Sequence, residues 1–444
     1  MNTPATATLA GLLALFCAAW LQTFLSASIP EGTATLWLIR QQGLYLSGIL
    51  SMALMSLVMV LATRPRWLEA PLGGMDRIYR LHKWAGILAV VFAVLHWGFY
   101  EGSGLVRALI GRAGRLREAK GELTRLLHDP AEDLGEWGFY LLLAMIVITL
   151  WRRFPYHLWR HIHRVLPVIY LFLAFHSLVL TPARYWVTPL GALFAIALLA
   201  GSWASVLSLT GRIGQRRRAH GEVIAVQHGD GVTEITCRLD ERWQGHQPGQ
   251  FAFLAFDRLE GHHPFTIASA GNDQRTVTFC IKALGNFTRR LPHTVYVGQA
   301  VSVEGPYGHF RLDRHDPARR QIWIAGGVGV TPFLAWLEAM QNAPSEAPQA
   351  ELHYCTRDRA GDRFVARLEA LCATLPNIRL HIHDKRQGKE LRAEGLGLEA
   401  NGARAAEIWF CGPTGLADAL KRGLRNIRTL GGTPRFHQEA FEMR

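Results

Sequence analysis

Leu81–Tyr100 reads LHKWAGILAVVFAVLHWGFY, and His163–Leu180 reads HRVLPVIYLFLAFHSLVL. Each run is apolar with a histidine towards either end: His82 and His96 lie fourteen residues apart, His163 and His176 thirteen. An ionisable residue in a membrane span is costly to place and by default marks function, and histidine is a common axial ligand of haem iron. Thirteen or fourteen residues cover roughly 20 Å of helix at about 1.5 Å each, most of a hydrocarbon core about 30 Å thick. Two such helices side by side could clamp one haem near each membrane face. A single histidine of this kind is more often a satisfied buried polar group, but two matched pairs resist that explanation. The azimuths disagree, however. At about 100° per residue, fourteen steps return to within about 40° of one face, whereas thirteen miss by about 140°. Pro167, between His163 and His176, is placed to kink the second helix.

The rest of the 444 residues divides into unlike halves. Apolar runs at about 5–27, 43–62, 82–100, 135–151, 164–181 and 187–209 predict six membrane spans, the fourth and fifth near the short limit. The first run has no Lys or Arg before Arg40, so it lacks the charged start of a signal peptide and reads as a span. Arg64, Arg66, Arg77, Arg80 and Lys83 follow span two, Arg152, Arg153, Arg160 and Arg164 follow span four, and Arg212, Arg216, Arg217 and Arg218 follow span six. These connections share one side, which the positive-inside rule makes cytoplasmic, with both termini; a bacterial inner membrane fits. The loop at 101–134 is basic yet falls outside. Its leucines 105, 109, 116, 123 and 127 recur at helical spacing, which predicts an amphipathic helix on the outer surface. Because much of the pI of about 9.8 is juxtamembrane charge, nucleic acid is not the expected partner; the lipid bilayer is. Six scattered cysteines, without a C-x-x-C, offer neither a disulfide framework nor a metal site.

From residue 221 the pattern is that of a soluble protein. GEVIAVQ, TEITCRL, QFAFLAF, PFTIAS, TVTFCIKAL and AVSVEGPYG predict a small antiparallel barrel. From 321, QIWIA, ELHYC, IRLHIH and EIWFC alternate with helical segments near 332–342, 362–374 and 414–427, the signature of a parallel sheet that binds ligands at its strand C-termini. After the first of these strands comes Gly326-Gly327-Val328-Gly329-Val330-Thr331-Pro332, a turn that lets backbone approach a pyrophosphate at a helix N-terminus. Cys411-Gly412-Pro413 ends a later strand of the same sheet, where a nicotinamide would arrive. In the barrel half, His263-Pro264-Phe265-Thr266 and Ser269 line up an aromatic, hydroxyls and amides suited to a flavin ring. Gly285-Asn286-Phe287-Thr288 offers amides and a hydroxyl to phosphate, followed by Arg289 and Arg290. Taken singly, each motif also reads as an ordinary core strand or turn.

Together these residues closely resemble the ferric reductase and NADPH oxidase superfamily over nearly the whole chain, and prokaryotic NADPH oxidases most. The histidine pairs match that family's two haem-bearing helices, including the thirteen-residue gap. HPFTIAS, preceded by GQF at 249–251 and followed by GPYG at 305–308, resembles its flavin motif. GGVGVTPF and CGP resemble its NADPH motifs, and Phe441 resembles the aromatic that covers the flavin. The resemblance implies a six-helix di-haem membrane domain (residues 1–210), an FAD-binding barrel (211–317) and an NAD(P)H-binding α/β domain (318–444), a module like ferredoxin-NADP reductase. It implies FAD, two haem b and NADPH or NADH. Electrons would run from cytosolic NAD(P)H through FAD to an inner haem on His82 and His163, then to an outer haem on His96 and His176. Arg80 and Arg164 are candidates for haem propionates, or ordinary topology anchors. Arg357 is a candidate for the 2′-phosphate of NADPH, or a solvated loop residue. Phe441 and Cys411 flank the expected site of hydride transfer. One departure stands out: superoxide-making animal oxidases carry a second histidine one turn past the outer ligand, where this chain has Tyr100. Oxygen giving superoxide is the first expected acceptor, with a ferric chelate or cupric ion, or a periplasmic protein partner, as the alternatives. Without an EF-hand or a proline-rich docking segment, no regulatory subunit is expected.

Overall fold

The computed structural model describes residues 3–116, 122–151, 154–257, 261–398, 405–425 and 433–439. The chain divides into two compact units, Met1–Ile213 and Gly214–Arg444.

The first unit is helical: α1 (Thr3–Leu25), α2 (Thr35–Ala62), α3 (Arg66–Leu72), α4 (Met75–Ile110), α5 (Glu122–Leu150), α6 (Tyr156–His163), α7 (Leu166–Leu180) and α8 (Pro189–Leu209). Among the described residues, six helical spans are long and apolar enough to cross a membrane. Their leucines, valines and tryptophans stay exposed where lipid would be the solvent, as at Leu15, Val91, Leu141, Ile196 and Trp203. α2 is the most enclosed span. Small polar groups tie it to its neighbours: Ser51 Oγ donates to Ala89 O of α4 (2.8 Å), and the Ser56 hydroxyl meets Tyr170 Oη of α7 (2.8 Å). Such interhelical bonds matter in lipid, where no hydrophobic drive holds helices together.

Two sequence expectations are corrected here. First, 101–134 is not a separate surface helix. Residues up to Ile110 continue α4, and α5 begins at Glu122, so both helices extend beyond the apolar stretches. The connection between them is pinned by Ala34 N–H donating to Gly114 O and Trp37 Nε1 donating to Gly111 O. Second, the helix bearing His163 and His176 is not merely kinked. It breaks: α6 ends at His163, Arg164 caps it, and α7 restarts with Pro167 in its first turn, where proline is tolerated.

The second unit begins with the strands β1 (Arg218–Gly229), β2 (Val232–Leu239), β3 (Phe251–Ala255), β4 (His263–Thr266), β5 (Thr276–Lys282) and, after helix α9 (Asn286–Thr294), β6 (Ala300–Tyr307). They form one antiparallel sheet in the order β4-β3-β6-β1-β2-β5. An Ile267–Phe279 bridge just past β4 closes it into a barrel around Val223, Ile235, Leu254, Phe279 and Val303. Then β7 (Arg320–Gly326), α10 (Thr331–Met340), β8 (Ala350–Thr356), α11 (Arg363–Ala373), β9 (Ile378–Asp384), β10 (Ala406–Cys411), α12 (Thr414–Leu424) and β11 (Arg435–Glu439) alternate. Their sheet is parallel, in the order β11-β10-β7-β8-β9, with its two faces covered by separate apolar clusters around Trp323, Trp336 and Leu352 and around Ile322, Ile408 and Phe410.

Candidate redox sites

In the helical unit the break before α7 solves the azimuth problem. His82 faces His163 with ring centroids 6.3 Å apart, and His96 faces His176 at 6.2 Å. Metal–imidazole bonds of about 2.0–2.1 Å, plus about 1.2 Å from nitrogen to ring centre, put two axial imidazoles on one metal about 6.4–6.6 Å apart. Both pairs fall within a few tenths of an ångström of that separation. The ring tautomers agree. Nδ1 of His82 lies 3.1 Å from Val58 O, Nδ1 of His96 2.8 Å from Leu44 O and Nδ1 of His176 2.8 Å from Ala131 O. Each Nδ1–H donates to a carbonyl, which leaves Nε2 as a bare lone pair, the arrangement metal-bound histidines use. His163 differs: its Nδ1 is buried with no hydrogen-bond partner among the described residues, and its ring packs on Trp159, 4.8 Å between centroids.

A cavity of about 740 Å³ opens beside the second pair, within the usual range of about 300–1,000 Å³ for bound organic groups. Its walls include His96, His176, Arg40, Arg115, His128 and Glu132. Arg40 is held by the carbonyls of Phe99 (2.7 Å) and Tyr100 (3.1 Å), and Tyr100 Oη donates to Glu132 Oε1 (2.6 Å). Two cations and a slot bounded by imidazoles suit a planar group with carboxylate substituents. The sequence reading named neither Arg40 nor Arg115 for this purpose. It also missed two glycines. A Cβ on Gly135 would sit 2.0 Å from His176 Nδ1, and one on Gly48 2.8 Å from His96 Nδ1, so both backbones give way to an imidazole. A glycine within an apolar helix is the only sequence signal they leave. Arg80 and Arg164, the earlier propionate candidates, are exposed.

In the second unit the flavin-like motif is spread over two elements. His263 on β4 stacks on Phe287 at 4.0 Å and 9°, with Phe265 alongside at 6.4 Å from Phe287. Pro264 and Thr266 lie in register with Phe253 and Phe251 of β3. Ser269 Oγ accepts from Thr278 N (3.1 Å), a bond that fixes the strand end. Gly285-Asn286-Phe287-Thr288 forms a helix start. Gly285 is the cap of α9, and the Thr288 hydroxyl accepts from the amides of Leu284 and Gly285, both at 2.9 Å. Thr288 is thus committed to capping. The amides of Asn286 and Phe287 belong to the first turn, where intrahelical acceptors are missing and an anion is favoured.

The two nucleotide motifs meet at the C-terminal ends of the neighbouring strands β7 and β10, with Ala325 opposite Cys411. Their glycines allow the contact. A Cβ on Gly329 would fall 2.3 Å from Cys411 O, one on Gly326 2.7 Å from Pro413 Cδ, and one on Gly412 3.0 Å from Gly326 N. Gly327 adopts φ +56, and a Cβ there would lie 3.7 Å from Lys282 Nζ, so an ammonium group stands over the glycine loop. Lys282 is a third cation the sequence reading missed, since nothing in β5 announces where its end will point. Thr331 donates to Val328 O (3.1 Å) and, with Pro332, is buried at the start of α10. Cys411 is buried, and burial together with the Glu439 carboxylate pushes its thiol well above the usual range. It is therefore a neutral wall, not a nucleophile. Arg357, one residue past β8, is exposed and has no ion-pair partner among the described residues, whereas its neighbour Arg359 pairs with Glu369. Phe441 lies outside the described residues. β11 ends at Glu439, opposite Cys411 and 3.5 Å from where a Gly308 Cβ would stand.

Comparison with known proteins agrees with this division. Residues 47–174 match the model of the ferric reductase like transmembrane component, and residues 221–311 match an FAD-binding domain. The chain is therefore an integral membrane protein with a flavin-binding module. It is 26% identical over 247 residues to an NADPH oxidoreductase of Mycobacterium tuberculosis, covering 53% of this chain and 63% of that one. It is 23% identical over 314 residues to a probable cell surface ferric reductase of Aspergillus oryzae, covering 64% and 39%. It thus spans less than two thirds of either relative. Among solved structures, the FAD/NAD binding domain of a Vibrio cholerae nitric oxide dioxygenase is 20% identical with a TM-score of 0.41, covering 50% of this chain and 98% of that one.

Proposed function

We propose that this member of the ferric reductase and NADPH oxidase superfamily moves electrons from cytosolic NAD(P)H across the membrane to oxygen, yielding superoxide. One observation carries the reading: two histidine pairs, each facing across a gap sized for one metal, with Nδ1 of three of the four rings tied to carbonyls. Bound FAD would accept a hydride and release single electrons, and two b-type haems would relay them. The chain's own residues do the rest. His82 with His163, and His96 with His176, would hold the two haems, and an iron held by two imidazoles would pass electrons on without binding oxygen itself. Arg40 and Arg115 balance the carboxylates of the outer group. Lys282 and the amides at Gly326–Gly329 bind pyrophosphate, and Arg357 supplies the charge that selects NADPH over NADH. Cys411 and Gly412 would border the nicotinamide, and Phe441 is the residue proposed to cover the flavin. The basic connections support a cytoplasmic position for both termini in a bacterial cell, and the proposal includes no regulatory subunit.

A second reading, reduction of a metal chelate, draws on the same cavity. Glu101, Glu132, Glu136 and His128 line it, and Tyr100 stands where animal oxidases carry a histidine. Carboxylates favour a cationic acceptor. The purified full chain decides between the two. Oxygen reduction predicts about two superoxide ions per NADPH, one electron each, read as dismutase-sensitive cytochrome c reduction. If that signal is absent while ferric chelate is reduced briskly, the oxygen reading fails. A reduced-minus-oxidised spectrum with two haems per flavin supports either acceptor, and a preparation without a Soret band sinks both.

A further inference from the structure

β8 and β9 lie side by side at the edge of the nucleotide sheet, with His353 opposite His381 and Cys355 opposite His383. Strand alternation puts Glu351, His353, His381 and His383 on one face. The imidazoles stack: His353 lies 4.8 Å from His381 and 5.2 Å from His383, within 20° of parallel. Three histidines and a carboxylate converge here, away from the strand ends that hold the nucleotide motifs.

His353 is the informative member. Its side chain is 4% exposed, and its Nδ1 lies 3.0 Å from His383 Nε2. Its Nε2 is buried without a hydrogen-bond partner and points towards Glu351 Oε2, 3.7 Å away. If His353 Nδ1–H donates to His383, Nε2 is a bare lone pair facing a carboxylate oxygen, two acceptors with nothing between them. In the other tautomer Nε2 carries a proton, but 3.7 Å is too long for a hydrogen bond. A buried polar atom left in this state is destabilising unless something satisfies it. Glu351 meanwhile cannot swing away, because Arg320 grips it through two bonds of 2.8 Å.

We propose that Glu351, His353 and His381 bind one divalent first-row transition ion of the zinc class. Their ligand atoms already lie within 4.8 Å of one another. Ligands on one tetrahedral ion sit about 3.3–3.5 Å apart, so a small side-chain rotation closes the site. Two imidazoles and one carboxylate are the borderline donors that zinc, nickel and cupric ions prefer over magnesium or calcium. His383 fixes the tautomer and orientation of His353, and Arg320 does the same for Glu351, the two outer supports such sites require. His381 is exposed, so a water completes the coordination. The ion would fasten the edge strand β9 to β8.

Equilibrium dialysis of the full chain in detergent against zinc, after a chelator wash that leaves haem and flavin in place, tests the site. Wild type should bind one zinc that His381→Ala and Glu351→Gln bind at least about tenfold more weakly. His381 is exposed, so its loss leaves folding intact, and His228→Ala, an exposed histidine on β1, should bind as wild type does. Equal binding by wild type and His381→Ala overturns the proposal, as does an equal loss in His228→Ala or the lack of saturable zinc in wild type.

Discussion

A methyl group at Gly135 would stand 2.0 Å from Nδ1 of His176, on the side where that nitrogen bonds Ala131 O. The imidazole cannot keep both its hydrogen bond and its aim. Gly135→Ala should therefore strip one of the two haems, lowering the haem-to-flavin ratio by about half, since lost outer support costs metal affinity about 10–100-fold. Gly98→Ala, where a Cβ meets nothing within 4 Å, should keep both. Equal haem content in the two variants would remove His176 from the ligand set. Lys282 acts by charge alone. Lys282→Ala should raise the KM for NADPH about tenfold, about 1.4 kcal/mol, with kcat nearly unchanged, as for the loss of one charged contact made equally in ground and transition states. An unaltered KM would put the ammonium outside the phosphate site. His246 makes a pH prediction. Its Nε2 donates to Ser269 O (2.9 Å), and burial holds its pKa below the usual imidazole value. An unfolded histidine titrates near about 6.5, so on acidification the unfolded chain takes up this proton first. The stability it contributes is complete above that pH and is lost as pH falls towards the lower folded value. His246→Gln, which can still donate to Ser269, should flatten the fall of Tm between pH 7 and 5 relative to wild type. Parallel curves would refute the linkage.

Helices and strands differ in how far their sequences announce them. The soluble strands were legible because period-two patterning and turn residues bracket each one, and the two nucleotide motifs fell at strand ends because β-α alternation leaves them nowhere else. The 101–134 segment misled because leucines at helical spacing describe an extended α4 and α5 as well as a separate surface helix. What distinguishes the two is the chain reversal pinned by Ala34, Trp37, Gly111 and Gly114, contacts far apart in sequence. The break between α6 and α7 was half visible: Pro167 marked the place, but only the restart of the helix brings a thirteen-residue gap into register with a fourteen-residue one. α4 is the uninterrupted ruler of the pair, which sets up a test. One alanine inserted between Ala89 and Val90 turns His96 by about 100° and lifts it about 1.5 Å relative to His82. The expected result is a chain that keeps flavin and at most one haem. Two haems with an unchanged Soret band would mean that α4 does not set the spacing.

At the scale of the whole chain, the net charge of +13 is arranged rather than merely large, and its distribution bears on mechanism. Basic residues gather in the connections after spans two, four and six and at the entry to the second unit, the pattern that supports the proposed orientation with hydride supplied from the cytoplasm. Electrons crossing in the proposed direction would leave protons behind, so turnover would separate charge. Each elementary charge moved against the resulting potential costs about 2.3 kcal/mol per 100 mV, about 4.6 kcal/mol per NADPH. In sealed vesicles with the soluble half outside and cytochrome c trapped within, added NADPH should reduce the trapped acceptor quickly at first and then more slowly as the interior turns negative. Valinomycin with potassium should restore the initial rate. His96→Leu should abolish reduction of the trapped acceptor while sparing NADPH-driven reduction of a soluble dye outside, because the flavin module precedes the break. A trapped acceptor reduced at the wild-type rate in His96→Leu, or a rate indifferent to valinomycin, would mean that the histidine pairs do not form the route across the membrane.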